Sequence, residues 1–180
     1  VTYYGVKVGE TTYATFYAPK AVTIPENVEA FAATAINDGL VTLTKIENTI
    51  PANTGVVLKA TVAGVYNFAI AEDVEAVENL LEGTVIATMV DGPAYVLGNV
   101  DGIGLYSAKL TDGKFLNNGY KAYLPVGASD ARFLGFDFGT ETGIDELKGE
   151  NGNVKTVIYD LSGRRVQGAQ KGIFIVNGKK

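Results

Sequence analysis

The chain has 180 residues, a formal net charge of −5 and 47% hydrophobic residues, enough apolar surface to bury a core in one large domain or two small ones, which excludes a disordered chain. A pI near 4.8 leaves no basic footprint for nucleic acid, and no apolar run approaches the roughly 18 residues of a membrane-spanning helix. Zero cysteines and zero histidines exclude disulfides, thiolate metal sites, thiol nucleophiles and a Ser-His-Asp triad, and remove the usual general base.

The bias toward Gly (22 residues), Tyr (10) and Phe (8), with abundant Val and Thr, predicts an all-β protein rich in turns. The chain opens on a strand-like Val1-Thr-Tyr-Tyr4, with no visible signal peptide; a removed leader and a trimmed chain both fit that start. Thr12 to Tyr17 reads as a strand halted at Ala18-Pro19, and a second segment runs from Ala21 to Ile24 before Pro25. The clearest hairpin signal of the first half is Val28 to Ile36, the turn Asn37-Asp38-Gly39, and the β-branched run Leu40 to Ile46. A turn over Ile50 to Gly55 leads into Val56 to Lys59, and Gly64 precedes Val65 to Ile70. Between Glu72 and Glu82, the apolar residues Val74, Val77, Leu80 and Leu81 recur at spacings of three and four. They fit one or two turns of amphipathic helix and equally a loop with pinned apolar residues. Strands resume at 84–90, 94–97, 104–109, 121–124 and 132–138, separated by Asp91-Gly92-Pro93, Asp101-Gly102, Asp112-Gly113 and Asn117-Asn-Gly119. Such short, regular punctuation predicts an antiparallel β-sandwich, with a barrel as the related solution. The main domain is expected over 1–142, as one unit or as two β subdomains divided near 71–83. A polar, Gly-rich linker follows over 143–153, then a small β-hairpin appendage over 154–180.

Candidate chemistry is sparse. A Ser-Lys dyad would need Ser107, Ser129 or Ser162, and Ser129 in Gly127-Ala-Ser-Asp130 reads better as a turn. Paired carboxylates would suit glycoside hydrolysis without histidine. Asp38, Asp91, Asp101 and Asp112 each precede a glycine, however, where a turn explains them, and alternation places Asp137 on the solvent face of its strand. No stretch carries the acidic spacing of an EF-hand loop, so calcium would need separate loops such as those of Asp91 and Asp101. No metal or cofactor is predicted. Sugar stacking would fall to Tyr95, Tyr106, Tyr120 and Tyr123, which crowd one stretch, although aromatics at strand spacing serve more often as core or cross-strand pairs. Arg164-Arg165 and Lys179-Lys180 read as solvated tail charges.

Val157-Ile-Tyr-Asp-Leu-Ser-Gly-Arg-Arg-Val166, followed by Lys171-Gly-Ile-Phe-Ile-Val176, resembles the end of the C-terminal sorting domains of Bacteroidetes-type exported proteins, here in shortened form. Tyr159, Asp160, Leu161, Gly163, Arg164, Lys171 and Gly172 carry the two motifs. The resemblance implies export by the type IX route through contact of the tail with the export machinery, and a location outside the cell or on the outer-membrane surface. Tyr13 to Tyr17, Ile50 to Leu58 and Lys121 to Pro125 are more distantly similar to the β-rich regions ahead of such tails. Taken together, these features predict a non-catalytic accessory or adhesion module whose partner is a protein or glycan at the cell surface. A carbohydrate-binding module using exposed tyrosines is the alternative.

Overall fold

The computed structural model describes residues 2–125 and 131–139, together with the backbone of 158–159 and 165–166. Every regular element among them is a strand. Residues 1–139 form one compact unit and 140–180 a second. In chain order the first unit contains β1 (Tyr3–Val8), β2 (Tyr13–Ala18), β3 (Val22–Thr23), β4 (Val28–Asn37), β5 (Leu40–Ile46), β6 (Thr49–Ile50), β7 (Thr54–Ala60) and β8 (Gly64–Ala69). It continues with β9 (Glu82–Thr84), β10 (Thr88–Asp91), β11 (Tyr95–Asn99), β12 (Ile103–Ser107), β13 (Lys114–Asn117), β14 (Lys121–Tyr123) and β15 (Phe133–Asp137). The second unit contains the antiparallel pair β16 (Ile158–Tyr159) and β17 (Arg165–Val166), the hairpin expected of the tail.

The hairpin at Asp38-Gly39 forms as its sequence dictates. Asn37 faces Leu40 across a two-residue turn, and both turn residues have positive φ, +48° and +78°. That is the type I′ geometry whose twist matches the flanking strands, and Asp-Gly tolerates it well. Asp112-Gly113 repeats the pattern at +52° and +77°, with Thr111 and Lys114 exchanging backbone bonds.

Seven strands make the principal sheet, in the order β11-β12-β15-β5-β4-β7-β2. Its pairs are antiparallel except one: β15 lies parallel to β5, with Phe136 opposite Val41. The expectation of uniformly antiparallel pairing rested on short connections, and it fails here because nearly the whole unit separates the two strands in sequence. The run predicted over 84–90 is two strands that break at 85–87 and pair with different partners, β9 with β14 and β10 with β13. The short strands β6 and β13, hidden between turns, carry too few residues to announce themselves by alternation.

Both faces of the β4–β7 region are covered, which explains why Thr54–Ala60 reads as a nearly continuous apolar run. Val56, Leu58 and Ala60 point to one core with Ala30 and Phe16, while Val57 points to the other with Phe31 and Leu43. Over the first face lie the β1–β8 ribbon, contributing Val6, Val8 and Phe68, and the β3–β6 pair, contributing Val22 and Ile50. This is the face-to-face packing of a sandwich, centred on Phe16 and Phe68 with ring centroids 4.9 Å apart. The second core gathers Phe31, Val41, Leu43, Val57, Leu105 and Leu134 from the inner side of the sheet, with Leu81, Ala122 and Leu124. Residues before and after 71–83 therefore share it.

Segment 71–81 forms neither helix nor strand. Val74, Val77 and Leu80 are exposed, and only Leu81 is buried. Its polar groups satisfy strand backbone instead of their own helix. The Asn79 Oδ1 accepts from Ala33 N–H (3.0 Å) and Leu81 N–H (3.1 Å), its Nδ2 donates to the Gly55 carbonyl (2.7 Å), and Leu80 N–H donates to the Ala33 carbonyl (2.7 Å). Ala33 sits at a register shift of β4, where its N–H and C=O need partners outside the ladder. Replacing Asn79 with Ala strands these groups and should lower unfolding stability by about 1–3 kcal/mol, measured as a reduced midpoint in urea.

The Gly127–Asp130 turn with Ser129, the 143–153 linker, and Asp160, Leu161, Gly163, Arg164, Lys171, Gly172 and the Lys179-Lys180 pair lie outside the described residues.

Candidate functional site: the seam cleft

The two edge strands of the principal sheet, β2 and β11, would each present unpaired backbone groups. Residues 120–124 engage both. Tyr17 N–H donates to the Tyr120 carbonyl (3.0 Å), and Ala122 N–H donates to the Thr15 Oγ1 (3.3 Å) on the β2 side. On the β11 side, Tyr95 and Leu124 exchange two backbone bonds of 2.9 Å. The strip thus acts as a seam between the edges and encloses the second core. Close approach is built into it: a Cβ on Gly83 would lie 2.4 Å from the Tyr17 ring, and one on Gly55 would lie 3.0 Å from the Ala122 Cβ.

The β14 ladder is only three residues long, and beside it a cleft of about 370 Å³ opens. Tyr13, Ala14 and Thr15 of β2, Val96 and Leu97 of β11, and Leu116 through Asn118 with Lys121 and Ala122 form its walls, with Lys7 of β1 at the rim. Lys121 is half-buried, and its Nζ donates to the Thr15 carbonyl at 3.4 Å. Burial pushes the Lys121 ammonium below its ordinary pKa, since desolvation disfavours the charged form. Asn117 is buried and occupied, its Nδ2 donating to Thr84 Oγ1 (2.8 Å) and to the Lys121 carbonyl (3.0 Å), so it fixes the Lys121 backbone in place.

The four candidate tyrosines do not form a row. Tyr95 is 3% exposed, lies in the second core, and its hydroxyl donates to the Ala131 carbonyl. Tyr123 is 6% exposed, edge-on to Phe115 at 5.3 Å, and its hydroxyl donates to Glu82 Oε2 (3.1 Å). Tyr106 lies against Phe133 at 4.7 Å; its hydroxyl donates to the Gly102 carbonyl (2.7 Å) and accepts from Asp101 N–H (2.8 Å), tying the β11–β12 turn. Of the four only Tyr120 is exposed, at 41%, and its ring leans on Tyr4 at 5.5 Å. Three of the four tyrosines thus serve core and turn contacts, the ordinary fate of aromatics at strand spacing.

The carboxylates are likewise dispersed. Asp91 pairs with Lys114, Glu29 with Lys45 at 3.1 Å, and Asp137, between Phe136 and Phe138 that pack on the second core, is half-buried and accepts from Gly139 N–H at 2.9 Å. Among the described residues no group of three or more His, Cys, Asp or Glu could hold a metal ion. Sequence reasoning missed the seam cleft altogether, because Lys7, Thr15 and Lys121 meet only through long-range pairing; the one local hint was a lysine opening the apolar Lys121-Ala-Tyr-Leu124 strand. No family model, curated protein or solved structure matches the chain.

Desolvation, then the Glu82 carboxylate, raises the Tyr123 hydroxyl to a pKa of about 12 from 10.0. Folding therefore favours the protonated phenol: the Tyr123 contribution is complete below pH 10 and is lost as pH rises toward 12. Unfolding free energies measured across that interval should fall more steeply for the unsubstituted protein than for Tyr123→Phe. Parallel curves would contradict the assignment.

Proposed function

We propose that this chain is a non-catalytic accessory or adhesion module of an exported or surface-attached bacterial protein, and that it takes its surface ligand at the seam cleft. The observation that carries this reading is the half-buried Lys121 ammonium, held by strand pairing at the wall of an open cleft with a second lysine at the rim. A concave site with apolar walls and a few fixed polar groups, built on rigid strands, is the usual form of a small-ligand site. The absence of histidine and cysteine from the sequence weighs against acid–base and thiol chemistry there. The likeness of 157–176 to a sorting tail supports export, with the tail serving transport or attachment and the first unit serving recognition. Burial of Tyr95 and Tyr123 leaves Tyr120 as the one exposed ring of the four candidate tyrosines, which weighs against sugar stacking by the set.

A glycan array probed with the purified chain, with and without calcium, tests the reading when the retained glycans are then analysed by mass. Saturable, calcium-independent retention of unaltered glycan is expected. Release of cleaved or modified glycan would contradict the non-catalytic assignment.

A further inference from the structure

Resting on the reading of the seam as the binding element, we propose that its cleft takes a carboxylate-bearing sugar, such as a uronic acid of an acidic glycan, with the carboxylate held by Lys121 and Lys7. The local charge points to an anion. The chain as a whole carries −5, yet the cleft wall includes two lysines and no aspartate or glutamate. Elsewhere Lys45 is paired with Glu29 and Lys114 with Asp91, Lys59 lies 5.3 Å above the Phe138 ring, and Lys20 and Lys109 are exposed; Lys121 differs in being half-buried at a cleft wall. Among the described residues Lys121 is in no ion pair, and the one hydrogen bond of its ammonium is the long contact to the Thr15 carbonyl. An ammonium carries three N–H groups, so two are available to water or to a ligand in the cleft.

That contact to Thr15 also gives Lys121 a structural task at the β2 edge, but a single 3.4 Å bond is a weak return for desolvating a charge. A carboxylate arriving in the cleft restores the lost interaction in full and draws the ammonium back toward its ordinary protonation. Two lysines with no arginine in the wall suit a compact single anion rather than a planar, bidentate clamp. The rest of the wall suits a sugar ring: Val96, Leu97 and half-buried Tyr13, whose ring packs on Phe136 at 5.8 Å, give it apolar surface, exposed Asn118 offers an amide, and the volume accommodates a ring or two.

The test is an amide-resolved NMR titration of the full chain with galacturonate, galactose and hexanoate at matched ionic strength. Saturable shifts at Thr15, Lys121 and Ala122 are expected with galacturonate, with affinity about 10-fold or more above that for galactose or hexanoate. Lys121→Met should weaken galacturonate about 10-fold or more, and Lys7→Gln, at the exposed rim, roughly threefold. Should Lys121→Met disturb the seam, its spectrum reports this, and Lys7→Gln carries the test alone. Equal affinity for galactose, equal affinity for hexanoate, shifts away from the cleft, no binding, or indifference to both substitutions would each overturn the proposal. Failure here beside saturable retention on the array overturns the acidic-sugar assignment alone, whereas conversion of a glycan on the array overturns the non-catalytic reading whatever the titration gives.

Discussion

The backbone bonds that residues 120–124 make to β2 and β11 are the constraint on which the first unit depends. A seven-stranded sheet left open exposes two rows of donors and acceptors and leaves the inner faces of Leu105, Leu134 and Val57 uncovered. The exchange between Tyr95 and Leu124, together with the Tyr17–Tyr120 and Ala122–Thr15 bonds, ties both edges to one short strip. That strip brings Ala122 and Leu124 into the core and favours glycine at position 83, where a Cβ would fall 2.4 Å from the Tyr17 ring, and leaves tight room at Gly55. The β1–β8 ribbon then has only the opposite face to cover, which it does through Val6, Val8 and Phe68.

The same economy of pairing creates the cleft. Because β14 ends after three residues, the edges of β2 and β11 part beside it, and Lys121 is left spanning from the seam to the Thr15 carbonyl. Its ammonium is held by the same pairing that closes the core. A site built this way is pre-positioned by the scaffold rather than by loops, and a ligand there has little ordering to impose.

Local chemistry in the sequence accounts for much of the fold. Asp38-Gly39 specifies its turn, Pro19 stands just beyond the end of β2, and the apolar stretch Gly55–Leu58 of β7 records burial on two faces. What could not be read depends on distant partners. The parallel seat of β15 against β5 has no local signature, and the 72–82 spacing fits a helix until Asn79 is seen bridging Ala33 and Gly55. Tyr95 and Tyr106 share the strand pattern of an exposed platform, but their hydroxyls reach the Ala131 carbonyl and the 100–102 turn instead. The cleft was invisible for the same reason, since Lys7 and Lys121 come to line one cleft only through long-range packing.

Native-state hydrogen exchange, resolved by residue, tests the closure most directly. If residues 120–124 join the two edges, the Tyr17, Tyr95 and Leu124 amides exchange only through global unfolding, with protection equal to that of amides in the middle of β7. Exchange of these three at the rate of exposed turn amides, while β7 stays protected, would mean that the edges stand open and that the seam, with its cleft, does not form.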